Sequence, residues 1–197
     1  MYKYLPIFIC FLVSYISSAQ SFKTNKSVGV TLSLPIINGY SYYGFSETET
    51  KEGLFGIGAS VFYKHNRFKY SINGAMTTVI TFTHEASDAS KDINVNLIEG
   101  LVHYSLHDQF NLIGGINFSN YQFSGSYFSI DSTGLVDYSI KRNDRTMGLT
   151  LGAELVFTPH LTVAAFYRPV IYCFDKKSFK QMFSLDLRFD INLWRRK

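Results

Sequence analysis

Large apolar and polar side chains alternate strictly along residues 183–194, near the C-terminal end of the chain. Apolar residues occupy the odd positions from Phe183 to Leu193, and polar residues occupy the even positions from Ser184 to Asn192. This period of two predicts a β-strand with two chemically different faces. The run exceeds an ordinary strand of about 5–6 residues and matches the roughly 9–11 residues with which a tilted strand crosses a bilayer.

The same alternation recurs along the chain and predicts eight strands. They cover Val28–Tyr43, Phe55–Tyr63, Phe68–Phe82, Ile93–Leu106, Phe110–Ile130, Met147–Phe157, Leu161–Cys173 and Phe183–Trp194. Three tight turns, at His65-Asn66, His107-Asp108 and Thr158-Pro159-His160, alternate with four long loops, which lie around Glu47–Gly53, His84–Asp92, Asp131–Arg145 and Asp175–Lys180. Short turns at one end and long loops at the other are typical of a bacterial outer-membrane barrel with both termini in the periplasm.

The fourth predicted strand has a mixed pattern. Its first half places Ile93, Val95 and Leu97 on one parity, and its second half places Ile98 and Val102 on the other. A bulge near Leu97-Ile98 would bring both sets to the apolar face, because one extra residue reverses the alternation. We therefore expect such a bulge.

Aromatic residues make up 17% of the chain and charged residues only 17%, against about 25% charged residues in a typical soluble domain. Many of the aromatic residues fall at the two ends of the predicted strands, as the aromatic girdles of membrane barrels do. The turn-end girdle would contain Tyr63, Phe68, Tyr70, Tyr104, Phe110, Phe157 and Trp194, and the loop-end girdle Tyr42, Phe45, Phe82, Tyr121, Phe123, Tyr172, Phe174 and Phe183.

A secreted, lipocalin-like ligand-binding barrel would show the same alternation with its apolar face inside. Here the polar parity is mostly Gly, Ser, Thr, Asn and Ala, whereas a water-facing exterior would carry many more charges. The lipocalin G-x-W element is also absent near the first strand, since the sole Trp is Trp194. The pattern therefore favours a membrane barrel with its small polar residues inside.

The first residues have the pattern of a secretion signal. Lys3 supplies a positive charge, residues 5–16 an apolar core, and Ser17-Ser18-Ala19 a small-residue cleavage site. This order predicts a cleaved signal peptide over residues 1–19 and a barrel domain over residues 20–197.

The segment GAELVFTPHL at residues 152–161, together with the C-terminal alternation, resembles small outer-membrane barrels of the OmpA/OmpX type and the plain barrel-domain proteins of Bacteroidetes outer membranes. The resemblance implies an all-β, eight-stranded antiparallel up-and-down transmembrane barrel in the outer membrane of a Gram-negative cell. It also implies surrounding lipid and lipopolysaccharide, insertion by the barrel-assembly machinery and a monomeric state. Such proteins commonly end on an aromatic residue, whereas here three basic residues follow Trp194.

Seven charged residues fall on the small polar parity and would lie in the barrel lumen. They are Lys69, Glu99, Glu154, Arg168, Asp186, Arg188 and Asp190. An unpaired buried charge costs several kcal/mol, so we expect these side chains to form an ion-paired plug. A porin-like alternative is that the pairs rearrange as a gate and pass small ions.

His103-Tyr104-Ser105, with Glu99 four residues earlier, resembles the His-x-Ser element of outer-membrane lipid A deacylases. A histidine that deprotonates a serine is the arrangement that a nucleophile needs. However, Leu106-His107 replaces the usual Asn-Ala, and the element lies beside a predicted periplasmic turn. We therefore expect no enzyme, with a lipid-modifying barrel enzyme as an alternative.

The predicted extracellular loops hold the remaining candidates for binding. These interaction candidates are Tyr127, Phe128, Tyr138, Lys141, Arg142 and Arg145. They could bind an anionic glycan, lipopolysaccharide phosphates or a surface or envelope protein, or could simply neutralise neighbouring lipid head groups. The long fifth strand would also expose an edge for a partner strand.

Other chemistry has little support in the sequence. The five His are scattered, and no phosphate-binding glycine loop or paired-cysteine motif occurs, so we expect no metal site and no cofactor. The formal charge of +4 is spread along the chain, which argues against nucleic-acid binding. The sequence thus predicts a non-enzymatic outer-membrane barrel with a structural or surface-interaction role.

Overall fold

The computed structural model describes residues 26–43, 48–53, 55–79, 89–131, 134–175 and 179–196; the predicted signal peptide lies outside these ranges. They form nine strands: β1 Lys26–Tyr43, β2 Thr48–Gly53, β3 Gly56–His65, β4 Phe68–Val79, β5 Ala89–His107, β6 Phe110–Asp131, β7 Gly134–Thr158, β8 Leu161–Cys173 and β9 Phe179–Arg196. No helix among the described residues is both long and apolar enough to cross a membrane.

Eight of the strands close into an antiparallel barrel, in the order β1-β3-β4-β5-β6-β7-β8-β9, and β9 pairs with β1 to complete the ring. The predicted fold class is therefore confirmed. Closure leaves the barrel with no free strand edge in its wall, which is what a spanning sheet needs in lipid, where an unpaired backbone group finds no water.

The short strand β2 is an addition to the predicted set. It pairs with residues 38–43 of β1, while β3 pairs with residues 26–33 of the same strand. Between them Phe55 has a positive φ of 78°, and the matching part of β1 contains Pro35, which has no amide proton to donate. Most of the predicted charged loop at Glu47–Gly53 is therefore the strand β2, which pairs with the same strand β1 as β3 and is separated from β3 by a short break.

The two faces of the barrel wall have opposite chemistry. Large apolar side chains point outward, as at Ile72, which is 64% exposed, whereas small polar side chains point inward, as at Thr150, which is 0% exposed. Inward glycines give room to the larger lumen side chains: a Cβ on Gly29 would lie 2.5 Å from the Phe62 ring. This orientation is the reverse of that in a soluble ligand-binding barrel, and that alternative is therefore wrong.

The bulge expected near Leu97-Ile98 does not exist. β5 pairs with β4 without a shift from Ile93 to Tyr104, and its one irregularity with β6 lies between Ser105 and His107. Alternation therefore continues unbroken, and Ile93, Val95 and Leu97 point into the lumen. Apolar packing inside the barrel overrides the rule that apolar residues face the lipid.

The longest predicted loop is also a strand. Residues 121–131 of β6 pair with residues 134–144 of β7 in perfect register, up to the pair Asp131 and Gly134. β6 has 22 residues and β7 has 25, far more than the roughly 9–11 that cross a bilayer. The two strands therefore form a long hairpin, which we call the β6–β7 ribbon (residues 121–144); its base, at Tyr121 and Phe123, faces the lumen, and its far end extends beyond the barrel.

Candidate functional site

The lumen is filled by layers of side chains, of which the first lies nearest the three tight turns. The Lys69 ammonium group donates to Asp190 at 2.6 Å, and Thr31 donates to the same carboxylate at 2.5 Å. Lys69 also lies 4.4 Å from the centroid of the buried Phe62 ring. The Asp190 side chain is 17% exposed, so this layer meets solvent at the turn end.

Glu154 lies at the centre of the second layer. Its carboxylate accepts from Arg188 at 3.3 Å, from Asn111 at 3.0 Å and from Thr162 at 3.0 Å. His103 Nδ1 approaches the same carboxylate at 3.1 Å. The carboxylate thus has several donors, as a buried charge requires.

The histidine of the predicted His-x-Ser element has different partners from those expected. His103 Nε2 lies 3.2 Å from the Ser71 hydroxyl, and His103 Nδ1 lies against Glu154. Both ring nitrogens are therefore occupied, and neither Ser105 nor Glu99 takes the role that a nucleophile or its orienting carboxylate would need. One ring proton, on Nδ1, satisfies both contacts if the Ser71 hydroxyl donates to Nε2.

Glu99 and Arg168 form the third layer. Arg168 donates from Nε to Glu99 Oε1 at 2.7 Å and from Nη2 to Oε2 at 3.1 Å, a bidentate pair. Thr150 and Asn73 also donate to this carboxylate, at 2.6 Å and 2.9 Å. The remaining Arg168 nitrogen donates to Ser184 at 2.6 Å, which fixes the guanidinium group from three sides.

Six of the seven predicted lumen charges thus meet in three ion pairs. Asp186 is the exception: it is 3% exposed, and no cationic nitrogen among the described residues lies within ion-pair distance of it. The Arg168 and Arg188 guanidinium groups attract its carboxylate, and Ser184 is a hydrogen-bond partner.

The loop-side half of the lumen contains large apolar side chains, which the sequence prediction missed. A buried cluster, here called the apolar plug, fills it and consists of Tyr40, Ile93, Val95, Tyr121, Phe123 and Met182. The Tyr40 hydroxyl hydrogen-bonds with Thr77. Tyr121 and Phe123 were expected in the loop-end girdle, but they share the parity of Asn117 and Ser119 and therefore face inward. That shared parity was the available signal.

The three cations of the predicted loop cluster have separate environments. Arg142 donates to the buried Asp144 at 2.9 Å and lies 5.1 Å from the Phe123 ring centroid, so it covers the apolar plug. Arg145 points outward and forms a bidentate contact with Asp175, with distances of 3.0 Å. Lys141 is exposed. The side chains of Tyr127, Phe128 and Tyr138 lie outside the described part, and only their backbone register in the ribbon is known.

Arg145 also donates its backbone amide to Asp175, at 2.9 Å. These contacts hold the pKa of Asp175 at about 2, below its ordinary value of 3.8. The pair fixes the end of β8 against β7 at the loop side of the barrel.

The ribbon has one edge that no strand covers among the described residues. β8 leaves β7 at the pair of Thr146 and Cys173, so no described strand pairs with residues 134–144 on the side away from β6. On the side of β7 away from β6, the Arg145 carbonyl accepts from the Phe174 amide, and the Arg145 amide donates to the Asp175 carboxylate. Since residues alternate along a strand, Asn143 and Lys141 also direct their amide and carbonyl groups to the free edge.

A metal site has no support within the described ranges, where no group of three or more His, Cys, Asp or Glu residues is placed to hold an ion.

Comparison with known proteins matches residues 8–189 to the family model for the outer membrane protein beta-barrel domain. No curated protein sequence matches the chain. Among solved structures, Ail, the attachment invasion locus protein of Yersinia pestis, superposes with a TM-score of 0.56 at 11% identity, covering 86% of this chain and 99% of that one.

A second Ail structure, in complex with the heparin analogue sucrose octasulfate, gives a TM-score of 0.52 at 11% identity over the same shares of the two chains. Neisserial surface protein A gives 0.48 at 15% identity, covering 86% of this chain and 100% of that one. At these identities the likeness concerns the fold.

Proposed function

Since the chain belongs to the outer membrane protein β-barrel domain family, we propose that it is a non-enzymatic surface protein whose β6–β7 ribbon binds a partner by strand addition. The observation that carries this proposal is the edge of β7 over residues 134–144 that no described strand covers. A partner with an extended segment would pair with the unpaired amide and carbonyl groups of this edge. In this proposal the loop side of the barrel, and with it the ribbon, lies at the cell surface, as the long loops of outer-membrane barrels do.

The composition of the edge supports strand pairing. Val136, Tyr138 and Ile140 are residue types that favour strands. An exposed edge of this kind invites pairing unless charges or prolines protect it. No proline occurs in the ribbon, and two of the four charged residues on its β7 strand, Arg142 and Asp144, pair with each other, which leaves Asp137 and Lys141 as the charges along this edge.

An anionic glycan or lipopolysaccharide phosphate is a weaker candidate partner. Arg142 is engaged by Asp144, and Arg145 is engaged by Asp175, so two of the three cations proposed for such a ligand already have carboxylate partners. Lys141 alone would offer little affinity, because exposed ion pairs contribute about 0–1 kcal/mol each.

In this proposal the filled lumen stabilises the barrel and does not conduct ions. Three ion pairs fill its turn-side half, and the apolar plug fills its loop-side half. Rearrangement of the ion pairs alone would leave the apolar plug in place, which argues against the gated-pore alternative. The β1–β9 seam closes the barrel within one chain, and in this proposal the protein is a monomer, surrounded by lipid and lipopolysaccharide after insertion by the barrel-assembly machinery.

The proposal is tested by adhesion of Gram-negative cells that display the protein, measured against a panel of cell surfaces and compared with cells that lack it. Asn143→Pro removes an amide from the free edge, whereas the matched Asn143→Ala keeps it. We expect adhesion with the wild type and with Asn143→Ala, and its loss with Asn143→Pro. All variants should be checked for insertion by heat-modifiable migration on a denaturing gel.

Two results would contradict the proposal. Equal losses for the proline and alanine variants would show that the Asn143 side chain, and not the backbone edge, makes the contact. Undiminished adhesion after replacement of residues 124–141 by a tight turn would leave the protein with a structural role only.

A further inference from the structure

A groove of about 810 Å³ lies on the outer wall of the barrel, within the roughly 300–1,000 Å³ of small-molecule sites. It runs between two rows of outward-facing side chains that cross the strands. On β3, β4 and β5 the row nearer the turns contains Ala59, Gly74 and Ile98, and the row nearer the loops contains Ile57, Met76 and Asn96. The residues between the two rows point into the lumen, so their backbone forms the floor of the groove.

One half of the groove is deep and apolar. Ala59 and Gly74 are register partners, and a Cβ added to Gly74 would have no neighbouring atom within 4 Å. Ile57 and Met76 stand beside them on the outer face and are 66% and 62% exposed. The groove is continuous with the apolar face by which the barrel contacts lipid. An acyl chain therefore reaches this half directly from the bilayer.

The other half of the groove is polar and carries no net charge. Asn96 and Asn120 are register partners on β5 and β6, and both side chains are half-buried on the outer face. Arg145 follows them in the same row and is paired with Asp175. An amide side chain both donates and accepts hydrogen bonds, which suits a head group rich in hydroxyl and amide groups.

Polar side chains continue beyond the groove toward the loops. They form one row of exposed register partners from β4 to β7, which consists of Thr78, Asn94, Gln122 and Asn143. Strand β6 begins at Phe110 on the turn side, and about 9–11 residues of a tilted strand cross a bilayer. Asn120 and the row of exposed amides therefore lie at the level of the lipid head groups.

We propose that the outer wall of β3 to β7 binds one glycolipid molecule, with an acyl chain over Gly74 and the sugar head group on Asn96 and Asn120. The occupant is the lipid A part of lipopolysaccharide, an amino sugar with acyl chains, which combines the two chemistries that the groove joins. A phospholipid would fill the apolar half but would bring fewer hydroxyl and amide groups to the polar half. The assignment rests on the proposed function for one point, that the loop side of the barrel faces the outer leaflet.

The glycolipid site is tested by native mass spectrometry of the protein refolded in lipid-free detergent and titrated with lipid A. Gly74→Leu puts a side chain on the floor of the groove. Gly114→Leu is its matched control, because Gly114 is an outward glycine of β6 outside the groove whose added Cβ also meets no atom within 4 Å. We expect the wild type and Gly114→Leu to bind one lipid A molecule saturably, and Gly74→Leu to lose it. Equal binding by the two variants, or no saturable binding by the wild type, would overturn the proposal.

Competition with phosphatidylglycerol tests the head group. The wild type should keep lipid A in preference to phosphatidylglycerol, and the double variant Asn96→Leu with Asn120→Leu should lose this preference while still binding an acyl chain. Equal competition in the wild type would assign the groove to any acyl chain, and a doubled protein mass without lipid would assign it to a second copy of the chain. Either result would overturn the glycolipid site. Because purified protein is used, these outcomes are independent of the adhesion measured with Asn143→Pro.

Discussion

Arg168 and Glu99 join opposite parts of the barrel through a bidentate contact across the lumen, with nitrogen–oxygen distances of 2.7 Å and 3.1 Å. The two residues lie on β8 and β5, which are not neighbours in the ring. Both side chains are buried. The pair therefore connects strands that have no backbone hydrogen bonds with each other.

Breaking this pair on one side should destabilise the barrel strongly. Arg168→Met leaves Glu99 as a buried charge without its cation, and loss of one partner of a buried pair costs about 3–5 kcal/mol. The double variant Arg168→Met with Glu99→Leu should recover much of that loss, because no charge is left unpaired. Urea unfolding in lipid vesicles measures the complete cycle. Additive losses in the double variant would show that the two residues are not coupled.

Packing inside the lumen should matter more than packing against lipid. Met182 of the apolar plug is 1% exposed, whereas Met76 on the outer face is 62% exposed. Met182→Ala should cost about 2–5 kcal/mol, since a cavity is left in a filled core. Met76→Ala should cost clearly less, because lipid chains occupy the space. The same urea assay compares the two, and an equal or larger loss at Met76 would contradict a packed lumen.

The outer ion pair predicts a particular pH dependence. Arg145 lowers the pKa of Asp175 to about 2, from an ordinary 3.8. Because the pKa is lower in the folded protein, the pair stabilises the folded state above about pH 3.8, and this contribution is lost as the pH falls through about 2. Carbon-13 NMR titration should place the carboxyl midpoint near 2 and return it toward 3.8 in Arg145→Ala. An unchanged midpoint in that variant would exclude Arg145 as the cause.

Ser71, His103 and Glu154 have contacts that resemble those of a catalytic serine, but we expect no serine reactivity. Ser71 is buried, and Glu154 is held by Arg188, Asn111 and Thr162 as part of the lumen filling. The folded protein treated with a fluorophosphonate should remain unmodified by mass spectrometry. Labelling that is lost in Ser71→Ala would instead establish a hydrolytic site.

The alternation of the sequence carried most of the fold, since a membrane barrel has a simple rule for its two faces. Leu193 and Ile72 belong to the apolar faces of their strands, and Thr150 and Ser184 to the polar faces. Their outward and inward directions could be predicted without tertiary information. The same parity placed the charges that meet in the lumen, among them Glu99. Their individual partners depend on barrel stagger and side-chain reach, which a single sequence does not state.

The failures of the sequence prediction have physical causes. The apolar plug puts Ile93 and Phe123 inside, where a filled lumen rewards apolar packing as much as lipid does. The β7 half of the ribbon was predicted as a loop because polar and charged residues such as Lys141 and Asp144 lower its apparent strand character, whereas its β6 half was predicted as a strand up to Ile130. In the folded chain, pairing with β6 compensates for this low strand propensity, and the Arg142 side chain covers the apolar plug.

Strand β5 keeps an unbroken alternation over residues 93–104, so that one of its faces fills the lumen and the other lies in lipid. Leu97 and Ile98 test it most directly, because they are adjacent, both apolar, and 3% and 62% exposed. Methyl NMR signals of the two residues are compared in nanodiscs with and without spin-labelled lipid. We expect strong broadening of the Ile98 signal and little broadening of the Leu97 signal. Equal broadening of both signals, or stronger broadening of Leu97, would contradict it.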